Sequence, residues 1–325
     1  MKWSSSAPAN LMLMGEHSVV YGYPAIASAL SPRITLFWQQ RDDRRLSIHS
    51  DLGHLEISLT ERSQIPKDSP FKWILYPILN LRDELDRGFD IRVQSEFEST
   101  LGLGSSAAVL AATLGGIHHY LNKHYHLAET FRQGLKVIHQ IQGRGSGTDL
   151  AAALAGGIVL FDPKKQSITP LEVELDMTLI YSGYKTPTAE VLEKVYQAWL
   201  HEPTILKSLY QLMGQTTNRA FEALKENCHS DFYQLINTYQ GLMDALGVND
   251  ATLSKIVYGL RDRPEIRASK ISGSGLGDCV LGIGKLNSLD LADPLKAFKP
   301  QPLKAYRPLE IKTSSMGMII EDLNE

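Results

Sequence analysis

Gly102-Leu103-Gly104-Ser105-Ser106 stands between an alternating run, Phe89 to Phe97, and a long helical pattern, Ala107 to Tyr120. On the strand side, Ile91, Val93 and Phe97 share one face. On the helix side, Ala107, Leu110, Ala111, Leu114 and Ile117 recur every three or four residues. A small-residue turn that opens a helix lets backbone N–H groups converge on an anion, and the helix N-terminus adds partial positive charge. Ser105 and Ser106 offer hydroxyls for a cap, a phosphate or a metal ion. A capped helix after a tight turn is the other reading, and the segment alone leaves both open. Gly102, Gly104 and Ala107 also fit the relaxed dinucleotide pattern G-x-G-x-x-A, but the elements before them do not read as βαβ. A Walker A loop is absent, because Gly284-Lys285 is followed by Leu286 and has no glycine five positions before Gly284.

Two further glycine-rich passages follow. Gly143-Arg144-Gly145-Ser146-Gly147-Thr148 leads into Asp149, which opens a short helix of small residues. A carboxylate there can orient a substrate hydroxyl for attack on a phosphoryl group. An acidic residue in a first helical turn also favours the helix dipole, and on local grounds that reading is the stronger. The third passage, Ser272-Gly273-Ser274-Gly275-Leu276-Gly277-Asp278, runs into an apolar strand, Cys279 to Ile283. Each loop has a bland reading as a turn that needs positive φ. Three in one chain weaken it.

The chain has 325 residues and a formal charge of −3, from 33 basic and 36 acidic side chains. That balance gives no support for a nucleic-acid surface or a polybasic membrane surface. Two distant cysteines, Cys228 and Cys279, suggest neither a disulfide scaffold nor a Cys-rich zinc site, so a cytoplasmic setting is expected. The apolar run Leu11 to Met14 is too short for a signal peptide, and no segment reads as a membrane span. His118, His119, His124 and His126 match no metal spacing and read as a solvated helix end.

Strand patterns dominate the first hundred residues: Arg33 to Gln39, Leu46 to Ser50 and Leu55 to Leu59, with a helix over Phe71 to Leu85. Past the strand Met177 to Ser182, helical patterns cover Ala189–Leu200, Pro203–Leu224, Asp231–Leu246 and Asp250–Leu260. The division expected is residues 1–170 and 171–325, in an α+β architecture.

Taken together, the motifs resemble the GHMP kinase superfamily, which includes galactokinase and the homoserine, mevalonate and phosphomevalonate kinases. Ala7-Pro8-Ala9-Asn10 through Gly15-Glu16-His17-Ser18-Val19-Val20-Tyr21-Gly22 looks like the first motif, Gly102 to Ala108 like the second, and Lys270 to Cys279 like the third. The resemblance implies an N-terminal ATP-binding domain with a ribosomal-protein-S5-like fold and a ferredoxin-like C-terminal domain. It implies MgATP as donor, with Asn10, Gly102, Leu103, Gly104, Ser105, Ser106 and Ala107 around the nucleotide and Ser106 approaching Mg²⁺. Asp149 would be the catalytic aspartate. Glu16, His17, Ser146, Gly147, Thr188, Gly273, Ser274 and Gly275 would meet a small-molecule acceptor. The implied partners are that acceptor and ATP, without nucleic acid or membrane, and the assembly left open includes a homodimer.

Two departures qualify this. Asn10 stands where mevalonate kinases usually carry lysine, and Ile138-His139-Gln140 lacks a carboxylate where they carry a Mg²⁺-binding glutamate. Lys185 is the expected replacement cation. The first motif favours mevalonate as acceptor. The Gly143–Gly147 loop and Gly277-Asp278-Cys279 look more like phosphomevalonate kinases, so phosphomevalonate is the alternative acceptor. A nucleotide-binding homologue with impaired catalysis is the alternative of a different class.

Overall fold

The computed structural model describes residues 1–60, 68–98, 102–286 and 309–323. In chain order the elements are β1 Lys2–Met14, β2 Ala25–Gln40, β3 Arg45–Ser50, β4 Gly53–Ser58, α1 Lys72–Asn80, β5 Phe89–Ser95, α2 Ser105–Tyr120, α3 Leu127–Gln142 and α4 Thr148–Ala155. There follow β6 Ile158–Asp162, β7 Ser167–Leu171, β8 Asp176–Tyr181, α5 Thr188–Ala198, α6 Pro203–Lys225, α7 His229–Leu246, α8 Ala251–Arg261, β9 Ala268–Ser272, β10 Cys279–Ile283, β11 Leu309–Lys312 and β12 Ile319–Asp322. They form two compact units, and the chain passes between them more than once. The first unit holds residues 1–10, 29–157 and 314–325, and the second holds 11–28 and 158–313.

In the first unit the strands follow the order β12-β1-β2-β5-β3-β4. The β3–β5 pair is parallel, while β1–β12, β2–β5 and β3–β4 are antiparallel. Helices α1 to α4 pack on one another. The contact that seats α2 is aromatic. Trp3 on β1 and Trp38 on β2 stack with ring centroids 5.5 Å apart, and Phe89 meets both edge-on. The Trp3 indole N–H donates to the Gly116 carbonyl of α2 at 3.1 Å. A Cβ at Gly116 would lie 2.3 Å from the Trp38 ring, so only glycine lets α2 approach this closely. The C-terminal half of α2 is thereby fixed against the sheet.

The expected short run Leu11 to Met14 is the end of a strand of 13 residues. Ser4-Ser5-Ser6 hid its beginning, because serines do not advertise a buried strand. Ser5 is nonetheless fully buried, and its hydroxyl accepts the Trp38 indole N–H at 2.8 Å. The histidine cluster also differs from expectation. His124 and His126 are exposed, but His118 is buried in α2 and donates from Nε2 to Gln133 Oε1 of α3 at 2.6 Å.

In the second unit, β11-β8-β10-β9 form an antiparallel sheet. The β6–β7 hairpin pairs with residues 25–28 of β2. Helix α6 packs on α7, and α7 and α8 pack on β9. β9 is an edge strand, and α7 covers it. Asn237 Oδ1 accepts the Ser269 N–H at 3.1 Å, and Gln240 Oε1 accepts the Ile271 N–H at 2.7 Å. Those amides would otherwise be buried donors without acceptors. Among the described residues no helix is long and apolar enough to cross a membrane.

Burial pushes the His118 ring below its ordinary value of 6.5, with the Gln133 contact opposing. The unfolded chain then takes up a proton that the folded chain refuses. Stability is complete above the unfolded value and falls as pH drops through it towards the lower folded value. Thermal unfolding of His118→Asn, followed by circular dichroism, should show a smaller loss of Tm between about pH 7.5 and 5.5 than the wild-type chain. An equal loss would remove His118 from the acid sensitivity of the fold.

Candidate active site

The first unit carries the second motif. Gly102 and Gly104 both take left-handed backbone, with φ of 70° and 63°. Leu103 between them is buried and anchors the turn. Helix α2 begins directly after Gly104 with no side-chain cap, and its first internal bond runs from the Ala108 N–H to the Gly104 carbonyl. The N–H groups of Ser105, Ser106 and Ala107 therefore lie where no helical carbonyl can take them. Together with the helix dipole they make an anion cradle, bordered by two half-buried hydroxyls.

Asn10 braces this loop from β1. Its backbone N–H donates to the Leu103 carbonyl at 3.0 Å, and Nδ2 donates to the Gly104 carbonyl at 3.3 Å. A Cβ at position 104 would fall 1.9 Å from Asn10 Oδ1. That oxygen is buried and has no hydrogen-bond partner. The residue standing in place of the expected lysine thus supports the loop through its backbone and its amide.

The second glycine loop joins α3 to α4 in the same unit. Gly143, Gly145 and Gly147 all have positive φ, and a Cβ at Gly147 would lie 2.9 Å from the Phe131 ring. His139 Nε2 donates to the Gly145 carbonyl at 3.0 Å, and the Ser146 hydroxyl accepts the Thr148 N–H at 3.2 Å. Asp149 is exposed in the first turn of α4, and α4 packs against α2. The two glycine-led helix starts of this unit therefore belong to neighbouring helices. Among the described residues no group of three or more His, Cys, Asp or Glu could hold a metal ion. The oxygen chemistry here fits a Mg²⁺ carried by nucleotide phosphates and met by the Ser106 hydroxyl.

The second unit carries the end of the first motif and all of the third. Glu16, His17 and Lys270 are all buried. Lys270 Nζ donates to Glu16 Oε1 at 2.5 Å across 254 residues of sequence. Burial pushes the Glu16 carboxyl up and the Lys270 ammonium down, and each charge resists the other's neutralisation. Burial also lowers the His17 ring, so it is neutral. Its Nε2 donates to the Ser274 carbonyl at 2.7 Å, which leaves Nδ1 as an acceptor. His17 takes φ of 61°, a left-handed conformation uncommon outside glycine.

The third-motif loop is pressed against its neighbours. A Cβ at Gly275 would lie 2.4 Å from the Val248 carbonyl, and one at Gly277 would lie 2.8 Å from the Tyr184 carbonyl. Lys185 is half-exposed and pairs with Asp278 Oδ2 at 2.9 Å. Asp278 is held on both backbone sides: its N–H donates to the Tyr184 carbonyl and its carbonyl accepts the Ser182 N–H, both at 2.8 Å. Thr188 opens α5 and is exposed. Within the first unit, then, Asn10 meets the Gly102–Ala107 loop, and Ser146, Gly147 and Asp149 form one turn. Within the second unit, Glu16 and His17 meet the Lys270–Ser274 segment.

The sequence reading places Lys270 and Asp278 within the third motif without giving either a role, and it misses Tyr239. A signal existed for Lys270. It sits in the all-buried strand β9, and lysine is almost never fully buried without a partner. Tyr239 carried no such signal, because its place on α7 reads as ordinary core.

An uncapped anion cradle and a carboxylate on adjoining helices suit an enzyme that transfers a phosphoryl group. Comparison with known proteins agrees. The GHMP kinases N terminal domain family matches residues 74–157. A mevalonate kinase of Thermococcus sibiricus is 30% identical over 340 aligned positions, covering 99% of each chain. One from Methanothermobacter thermautotrophicus is 31% identical, covering 86% of this chain and 90% of that protein. The crystal structure of Methanococcus jannaschii mevalonate kinase superposes with a TM-score of 0.73 at 26% identity, covering 87% and 90% of the two chains. The chain belongs to the GHMP kinase family. It is a small-molecule kinase with the α+β two-domain fold of that family, which uses ATP.

Gly104→Ala should cost about 1–3 kcal/mol of stability, from its left-handed backbone and its collision with Asn10. It should also weaken nucleotide binding by at least about tenfold, the equivalent of about 1.4 kcal/mol. Thermal unfolding and titration with a fluorescent ATP analogue measure the two effects. Wild-type affinity in the variant would show that the turn does not hold phosphate.

Proposed function

We propose that this chain transfers the γ-phosphoryl group of ATP to the hydroxyl of mevalonate, giving phosphomevalonate and ADP. The observation that carries the acceptor is the 30% identity to a mevalonate kinase across 99% of both chains. The ATP-binding domain is then drawn mainly from residues 1–170 and the C-terminal domain mainly from 171–325, with residues 11–28 and 158–170 packing in the second unit and 314–325 in the first, and the enzyme works in the cytoplasm.

The Gly102–Ala107 backbone donors bind the ATP phosphates, and Asn10 keeps the loop at its working distance from β1. The Ser106 hydroxyl would meet a Mg²⁺ carried by the nucleotide, and that ion would supply charge neutralisation for the phosphates. Asp149 accepts a hydrogen bond from the acceptor hydroxyl and aims its oxygen at the γ-phosphorus. A carboxylate is too weak a base to ionise an alcohol beforehand, so the proton passes to Asp149 late in a loose transition state. The new bond joins acceptor oxygen to γ-phosphorus. The bond from γ-phosphorus to the bridging oxygen breaks, and its electron pair leaves with ADP. Ser146 and Gly147 shape the turn that carries Asp149. Glu16, His17, Thr188 and the Gly273–Gly275 backbone bind the acceptor. Lys185 supplies a cation, oriented by Asp278.

Phosphomevalonate is the rival acceptor, because the Gly143–Gly147 loop and Gly277-Asp278-Cys279 resemble those of phosphomevalonate kinases. A coupled assay of ADP release separates the two. Turnover with mevalonate and none with phosphomevalonate is expected. The reverse preference would reassign the acceptor, and ATP binding without turnover on either would point to the impaired homologue.

Asp149→Asn should lower kcat by at least about a hundredfold while ATP affinity stays within about twofold of wild type. Near-normal turnover in that variant removes Asp149 from the mechanism. Lys185→Ala should lower kcat at least about tenfold without changing Tm by more than a few degrees, because the Lys185 side chain is half-exposed.

A further inference from the structure

Among the described ion pairs, Glu16–Lys270 is the one with both side chains buried, at 1% and 0% exposure. The Lys270 ammonium is already committed to protein acceptors, so any part it plays in the reaction passes through them. Lys270 Nζ donates to Glu16 Oε1 and to the Ile271 carbonyl, each at 2.5 Å, and lies 5.4 Å from the Tyr239 ring centroid. Its partners thus all lie inside the second unit.

The segment that Lys270 grips is held from several sides. The Tyr239 hydroxyl accepts the Gly15 N–H at 2.9 Å and donates to the Glu16 carbonyl at 3.1 Å. The Ser272 hydroxyl donates to the Met12 carbonyl at 3.2 Å, and His17 Nε2 donates to the Ser274 carbonyl at 2.7 Å. Two side-chain atoms in this network remain buried without a partner: Glu16 Oε2 and His17 Nδ1. Both are hydrogen-bond acceptors, and they belong to consecutive residues on a backbone whose left-handed His17 departs from the usual range. Strain of that kind persists where surrounding contacts over-determine it, and it clusters at functional sites. Two fixed acceptors match a ligand that brings hydroxyl donors.

We propose that Lys270 is a positioning residue for the acceptor site. Its ammonium holds Glu16 in one rotamer, so that Glu16 Oε2 and His17 Nδ1 are presented together to the hydroxyl groups of the acceptor. This rests on the reading of Glu16 and His17 as acceptor-binding residues. The role of Lys270 acts on acceptor affinity and alignment and leaves nucleotide binding alone.

The test compares Lys270→Met, Glu16→Gln and the double variant, each checked for cooperative unfolding, with KM and kcat measured separately for mevalonate and ATP. Lys270→Met should lower kcat/KM for mevalonate at least about tenfold while KM for ATP stays within about twofold. The double variant should fall no further than the worse single variant, because both act through one carboxylate. Lys270→Met with mevalonate kinetics within about twofold of wild type would overturn the proposal. So would equal losses for both substrates, the mark of a general structural role, or a double variant whose losses multiply. If Lys270→Met alone fails to fold, Lys270→Gln decides: a mevalonate-specific loss supports the role, and normal mevalonate kinetics refutes it. A wild-type chain inactive on mevalonate would sink the functional reading, and this inference with it. An active wild type beside an unaffected Lys270→Met sinks only the role of Lys270.

Discussion

A charge removed from water must find its opposite. Moving an ion into a protein interior costs several kcal/mol even after relaxation, and taking away one member of a buried pair costs about 3–5 kcal/mol. In this chain the rule binds two distant stretches of sequence, because Lys270 on β9 and Glu16 after β1 are both sealed from solvent and touch each other. Once that pair is made, the geometry around it has little freedom. Tyr239 takes the backbone on either side of Glu16, Ser272 reaches Met12, and His17 is turned onto the Ser274 carbonyl. The second unit is organised around a bond between one glutamate and one lysine that the chain separates by most of its length.

The first unit answers a different constraint, the close approach of packed groups to backbone. Stacked Trp3 and Trp38 leave room for α2 only because position 116 has no side chain, and Gly104 meets Asn10 only because position 104 has none. These two contacts lie near opposite ends of the same helix. One sets how deep α2 sits on the sheet, and the other sets where its uncapped N–H groups stand. An anion site made of backbone donors is only as accurate as the packing that holds the helix.

The family is legible in the sequence because its chemistry is written locally. A glycine-led helix start depends on a handful of consecutive residues, and so does the turn before Asp149. Helix periodicity over Ala107–Tyr120 and Pro203–Leu224 located α2 and α6 to within a few residues. The reading failed where burial contradicts residue type. Ser4-Ser5-Ser6 gave no strand signal but belongs to a buried strand, because an indole N–H satisfies Ser5. His118 looked solvated with its neighbouring histidines but turns inward to Gln133. Lys185 read as a cation, and its partner Asp278 came from a loop far along the chain.

The order of the three glycine-rich motifs, the absence of a Walker loop and the position of Asp149 at a helix start were settled by sequence alone, since each depends on residues a few positions apart. Tertiary structure decided the pairing of Glu16 with Lys270, the bracing of Gly104 by Asn10 and the burial of His118. Those contacts join residues far apart in the chain, or depend on which face of an element meets the core. Periodicity and propensity reach only along the chain, and the cost of an unpaired buried polar group is set by what the fold brings beside it.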